Sequence, residues 1–202
     1  MAGSSRTDAG VHALGQVAHA ELTGCPIPTE NLQNALNNLL PDDITIADVR
    51  EVPHNFDAIS DTVKKRYDYL INTNPIRPVL VRHQWHRPGK LNVEKMDAAT
   101  QFLVGTHDFK SFASAADQRE SSVRTISRCA VEQDGDIIKI SVAADGFLYN
   151  MVRNIVGTLV EIGRGRWQPE SIRNILAAKD RTAAGPIAPA CGLCLMKIFY
   201  EQ

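Results

Sequence analysis

Six apolar residues, Leu148, Met151, Val152, Ile155, Leu159 and Ile162, recur at helical spacing and stop at Gly163. A stripe of that length must be covered by something, and its neighbours in sequence say by what. Upstream, Asp134-Gly135 separates two strand-like runs, the strongest hairpin signal in the chain, and Ile138, Ile140 and Val142 line one face of the second. Downstream, Cys194, Met196, Ile198 and Tyr200 alternate along a final strand, Leu193 to Tyr200. A long helix set between a hairpin and a further strand, without regular βαβ alternation, predicts an α+β fold: a mainly antiparallel sheet with flanking helices.

The remaining segments fill in that frame. A strand is expected around Gln16 to Leu22. Pro28 and Thr29 open a helix whose Leu32, Ala35, Leu36, Leu39 and Leu40 form one buried stripe, and Ile44 to Val52 is β-branched and strand-like. After the loop His54 to Asp61 a second lobe begins, dividing the chain into residues 1–54 and 55–202 around a cleft. Tyr67, Tyr69 and Ile71 alternate with Asp68, Leu70 and Asn72 as in a strand. Asn92 caps a helix carrying Val93, Met96, Ala99 and Leu103, with Gly105 closing it. Thr106 to Thr125 is polar and reads as a surface loop, a short helix starts near Pro169, and Arg181 to Cys191 is a Pro/Ala/Gly-rich loop.

Composition excludes several classes. The 202 residues carry 22 Lys plus Arg against 23 Asp plus Glu, a formal charge of −1, with 44% hydrophobic residues. That is globular, not disordered, and it argues against indiscriminate polyanion binding. Phe147 to Ile162, the longest apolar candidate, is broken by Asn150, Arg153, Asn154 and Glu161, so no membrane span is expected. The first residues hold no apolar signal-peptide core, which predicts a soluble, cytoplasmic chain. Cys191 and Cys194 have redox or zinc spacing but no second pair or spaced histidines. Together with Cys25 and Cys129 they read as buried free thiols, with no metal site.

Phosphate-binding glycine loops, nucleophile elbows and zinc-protease helices are absent from the sequence. What stands out is Ser5-Arg6-Thr7-Asp8-Ala9-Gly10-Val11-His12-Ala13, which puts a carboxylate in a Gly-containing turn with Arg6 and His12 close by. On its own such an aspartate caps backbone amides as readily as it does chemistry. Arg153 points away from the apolar stripe, and Asn150, Asn154, Gly157 and Glu161 share its side. That side faces either solvent or a polar cleft between the lobes.

This nine-residue segment resembles the signature of the TruA-type tRNA pseudouridine synthases. Four further stretches resemble that family's motifs in the same order: Lys65-Arg66-Tyr67-Asp68-Tyr69; Gly105 to Phe112; Phe147 to Gly157; and Ala188 to Leu195. The resemblance runs the length of the chain and implies the pseudouridine synthase fold. It also implies a reaction, the isomerisation of uridine at positions 38–40 of the tRNA anticodon stem-loop to pseudouridine, without metal or cofactor. Asp8 matches the family's catalytic aspartate, acting as a nucleophile or abstracting a proton. Arg6 matches the residue assisting base flipping. Arg153 would keep Asp8 ionised and hold it bidentately. Tyr67 matches the active-site tyrosine that stacks on uracil or takes the C5 proton, and Leu193 the apolar wall beneath the base. Lys64, Lys65, Arg66, Arg164 and Arg166 become candidate contacts to the tRNA backbone. Family members act as homodimers cradling one tRNA, which lets a nearly neutral chain present a basic groove.

Two departures accompany the match. In the family a strand and a helix precede the signature, which here lies almost at residue 1. Ile59 also stands where an arginine is usual. The expected alternative to turnover is tRNA binding without catalysis. A hydrolase using Asp8 with His12 as base, and a redox or zinc protein built on Cys191 and Cys194, are the remaining competitors.

Overall fold

The computed structural model describes residues 1–79 and 82–201. Within them the strands are β1 (Ala2–Gly3), β2 (His12–Ala13), β3 (Ala18–His19), β4 (Thr62–Asn72), β5 (Trp85–His86), β6 (Gly105–Asp108), β7 (Val123–Asp134), β8 (Ile137–Ala144) and β9 (Leu193–Tyr200). The α-helices are α1 (Thr29–Asn37), α2 (Val93–Thr100), α3 (Met151–Gly163) and α4 (Ser171–Ala178). The expected α+β class holds. A seven-stranded sheet runs β2-β9-β4-β8-β7-β6, with β5 beside the C-terminal end of β4. Its pairings are antiparallel except β2 with β9 and β4 with β5.

β4 is central because its residues satisfy neighbours on both edges. Tyr67, Tyr69 and Ile71 lie opposite Val142, Ile140 and Ile138 of β8, so one face is apolar across both strands. These six residues are buried, and α3 contributes Met151, Val152, Ile155, Leu159 and Ile162 to the same cluster. The expected stripe is therefore the sheet's cover, with α2 packed between α3 and β7. At the hairpin, Asp134 pairs with Ile137, so Gly135-Asp136 forms the two-residue turn and Gly135 supplies its φ of +55°.

Several segments differ from expectation. The strand expected over 16–22 is only Ala18–His19, paired with β1. Ile44 to Val52 forms no strand. No neighbouring strand offers it a ladder among the described residues, and the Ile46 amide and carbonyl are instead taken by the Asn37 side chain, at 2.7 and 3.0 Å. Helix α1 forms, but its stripe is not buried: Leu36 is 39% and Leu39 84% exposed. Helix α2 ends at Thr100, and Gly105 begins β6 instead of closing the helix. The expected 106–125 loop contains β6 and a 3-10 turn whose Phe109 and Phe112 are fully buried. Polar composition there hid two aromatic anchors. Of the four cysteines expected to be buried, only Cys129 is; Cys25 is exposed, and Cys191 and Cys194 are half-buried because they sit at and just before the start of β9.

The polar side of α3 faces neither solvent nor an open cleft over most of its length. It is covered by residues 181–188. Thr158 Oγ1 accepts the Gly185 amide at 3.0 Å, Arg181 donates to Asn154 Oδ1 at 2.8 Å, and Asn154 donates to the Phe112 carbonyl at 2.7 Å. Gly157 makes this approach possible, since a Cβ there would lie 1.7 Å from the Pro186 carbonyl oxygen. Gly157→Ala is therefore expected to cost at least about 2 kcal/mol through overpacking against backbone, read as a lower urea midpoint.

Candidate active site

The signature segment is a pinned loop. Ser4 N donates to the Val17 carbonyl at 2.8 Å, and the Gln16 side-chain amide holds both backbone groups of Ser5. Asp8 O accepts the Val11 amide at 3.0 Å, closing a turn with Gly10 at φ +82° in its third position, where an L side chain is strained. β2 follows at once and pairs in parallel with Cys194 and Leu195 of β9, anchoring the loop to the sheet. At its start, Lys65 reaches the Ser4 carbonyl at 2.6 Å.

Asp8 meets Arg153 across 145 positions of sequence. Arg153 Nη1 donates to Asp8 Oδ2 at 3.0 Å and to Asn150 Oδ1 at 3.0 Å, while Nε donates to the Ala188 carbonyl at 2.8 Å. The side chains are 15% and 25% exposed, so the pair is sheltered while the carboxylate keeps an open side. The expected bidentate clasp is not formed. One nitrogen, Nη1, serves Asp8 and Asn150 together, and Nε ties α3 to the segment before β9. A guanidinium is suited to this, since its donors diverge in one plane.

Tyr67 lies on the same face of β4, 7% exposed, with its ring edge-on to Phe147 at 5.1 Å. Burial pushes its phenol above the usual value, and the negative charge of Asp8 adds to this against a hydrogen bond from Ser5. Tyr67 is thus a neutral phenol at physiological pH, suited to packing against a base and not to acting as a phenolate. Leu193 lies opposite Tyr69 in register, on the Tyr67 face and buried. Arg6 is exposed on the loop two residues before Asp8. Asp8, Arg153, Tyr67 and Leu193 thus come together with Arg6 at the rim.

The five basic candidates separate. Lys65 shares the face of Tyr67, and burial lowers its pKa, with the charge of Arg119 adding to the effect. Lys64 and Arg66 alternate to the opposite face of β4. Lys64 lies 4.6 Å over the Phe199 ring, and Arg66 makes a two-pronged contact to Asp68 at 3.0 and 2.8 Å. Arg164 and Arg166 both bind Glu161, at 3.0 and 2.7 Å. Arg164, the residue after α3, lies about 17 Å from Arg153 at 1.5 Å per residue, and Arg166 follows beyond the end of the helix. Ile59 is 55% exposed in a turn whose amides are held by Asp57.

Residue-by-residue reasoning missed the role of Asn150, which precedes α3 in the left-handed region (φ 62°, ψ 8°) and shares Arg153 with Asp8. An asparagine between the first two members of the apolar stripe, Leu148 and Met151, was the available signal, since it tolerates that conformation. The Ala188 carbonyl carried no sequence signal at all.

The site therefore holds a pinned carboxylate contacted by a helix-borne arginine, with a buried tyrosine on the neighbouring strand. The family model described as tRNA pseudouridine synthase matches residues 99–201. Similar relatives include tRNA pseudouridine synthase A of Clostridium kluyveri, 46% identical over 199 residues, which are 98% of this chain and 81% of the relative. That of Brevibacillus brevis is 48% identical over 200 residues, 98% and 81% of the two chains. That of Geobacillus kaustophilus is 47% identical over 204 residues, covering 100% of this chain and 78% of the relative. The chain belongs to the tRNA pseudouridine synthase family.

The Glu161 cluster makes a pH prediction. Burial disfavours the charge of Glu161, but hydrogen bonds from Arg166 and Arg164 hold its carboxyl below the usual range. A carboxyl depressed in the folded state stabilises above its unfolded pKa and loses that contribution as pH falls through the folded value. Glu161→Gln should lower stability by roughly 2 kcal/mol at pH 7 and flatten the decline between about pH 5 and pH 3, measured by urea denaturation across pH.

Proposed function

We propose that this chain isomerises uridine to pseudouridine in tRNA, at positions 38–40 of the anticodon stem-loop. The observation that carries this reading is the 3.0 Å contact between Asp8 and Arg153, with Tyr67 buried on the same face of the sheet. In the reaction the N1–C1′ bond breaks, uracil turns within the pocket, and C5 bonds to C1′. The hydrogen on C5 leaves and N1 ends protonated, so product and substrate are isomers and neither redox chemistry nor hydrolysis is required.

Each residue serves one need of that sequence. The target base must leave its stack, at a cost of a few kcal/mol, and exposed Arg6 is placed at the rim to occupy the gap. Asp8, aimed by its 3.0 Å contact with Arg153, acts on the flipped nucleoside through its open side. Neutral Tyr67 and apolar Leu193 bound the base, leaving it free to turn without strong polar anchors. The parent relatives' name supports tRNA as substrate. The working unit in this reading is a cytoplasmic homodimer, with the cleft between the 1–54 and 55–202 lobes joined to its counterpart. Pairing two chains of net charge −1 gathers local basic patches into one groove.

The test is tritium release from C5-labelled uridine in an unmodified tRNA transcript. The chain should release tritium, and Asp8→Asn should lower the rate by a factor on the order of 10³ or more while retaining tRNA on a filter. Retention of tRNA by both proteins with no release from either would replace this reading with tRNA binding alone.

A further inference from the structure

The loop between the 3-10 turn at Lys110–Phe112 and β7 contains a nearly buried carboxylate that the reaction does not use. The Asp117 side chain is 4% exposed. Its Oδ2 accepts the Tyr149 amide and an Arg119 guanidinium nitrogen, each at 2.5 Å, and its Oδ1 accepts the Arg119 amide at 3.0 Å. The other backbone group of Tyr149 is taken by the same loop, since its carbonyl accepts the Ser114 amide at 2.9 Å. Both peptide planes flanking Tyr149 are therefore fixed from outside α3. Burial disfavours the charge of Asp117, yet the amides of Tyr149 and Arg119 hold its carboxyl below the usual range, so it is anionic at neutral pH.

The next residue is Asn150. Its left-handed conformation is one that an asparagine visits singly and only where its surroundings hold it. From that conformation its Oδ1 meets Arg153 Nη1, the same nitrogen that binds Asp8. A continuous path thus runs from Asp117 through the Tyr149 backbone to Asn150, Arg153 and Asp8. The helix ladder holds Asn150 only through its carbonyl, which accepts the Asn154 amide at 3.0 Å; the peptide plane on its other side is fixed by the bond of the Tyr149 carbonyl to the 114–117 loop.

We infer that Asp117 is a positioning residue for the isomerisation: by clamping the Tyr149 backbone it holds Asn150 in the conformation that aims Arg153 at Asp8. The inference rests on the proposed function for its kinetic consequence, but its geometric content does not.

The experiment uses the full chain in four forms besides wild type: Asp117→Ala, Asp117→Asn, Asn150→Gly and the double variant Asp117→Ala/Asn150→Gly. Glycine is chosen at 150 because it adopts the left-handed backbone conformation without strain while removing the side chain, and with it the Oδ1 that meets Arg153. Asp117→Ala should lower kcat about tenfold or more with KM for tRNA within about twofold, and Asp117→Asn, which retains an acceptor for Tyr149, should fall between it and wild type. The double variant should be no slower than Asn150→Gly alone within about threefold, because Asp117 acts through Asn150. A double variant whose losses multiply would overturn the inference. So would Asp117→Ala with raised KM and unchanged kcat, which would make the loop a tRNA contact. A second readout is independent of turnover: the Arg153 Nε–H resonance, identified by its loss in Arg153→Lys, should exchange with solvent faster in both Asp117 variants. If wild type releases no tritium, the functional reading falls and the resonance alone decides the positioning role, unchanged exchange overturning it.

Discussion

The guanidinium of Arg153 joins three parts of the chain at one point. It binds Asp8 from the N-terminal loop, Asn150 before its own helix, and the Ala188 carbonyl from the segment that leads into β9. Each partner is an acceptor satisfied at once, and losing the guanidinium leaves a carboxylate and a carbonyl facing a sheltered gap. The rest of the site follows from where this arginine stands. α3 places it because the helix lays its apolar stripe on β4 and β8, leaving the opposite side to the 181–188 segment. Gly157 lets that segment come close enough for Arg153 to reach it. The loop of Asp8 arrives because β2 pairs with β9 and Gly10 turns the chain just before it.

Much of this frame is legible in the sequence. The stripe from Met151 to Ile162, the alternation along Tyr67 to Ile71 and the limits of β9 appear as expected, because burial against a sheet imposes a period on the residues that face it; Leu148, expected on the same helix, is buried but lies before α3 begins. Asp8, Arg153 and Tyr67 do meet, and matched motifs singled them out where periodicity could not. Periodicity gives the side of an element that is polar, but not what covers it. Solvent and cleft were the two readings for the α3 side, and a backbone segment with no pattern of its own turned out to occupy most of it.

The misses have physical causes. A β-branched run such as Ile44 to Val52 becomes a strand only where a neighbour supplies hydrogen bonds, and here side-chain amides from α1 supply them instead. The Leu32 to Leu40 stripe predicts a helix correctly, yet an amphipathic pattern says only that a face suits burial, not that a partner lies against it. The basic residues were grouped by sequence proximity, whereas strand alternation sends Lys65 to the site face and Lys64 and Arg66 to the other. Arg164 and Arg166 are engaged with Glu161 at the far end of the helix. Roles for Asn150 and Ala188 depend on a left-handed residue and a carbonyl, features that side-chain type barely encodes.

Membership of the tRNA pseudouridine synthase family and the geometry of Asp8 converge on one chemical demand: a carboxylate aimed by a guanidinium whose diverging donors lysine cannot reproduce. The most direct test is to quantify pseudouridine by carbodiimide adduct mapping in an unmodified tRNA incubated with wild type and with Arg153→Lys. The account predicts modified uridines with wild type and none above background with the lysine variant, with both proteins folded and retaining tRNA. Equal modification by the lysine variant would contradict it, since positive charge alone would then suffice and the placement of Asp8 by Arg153 would not govern the chemistry.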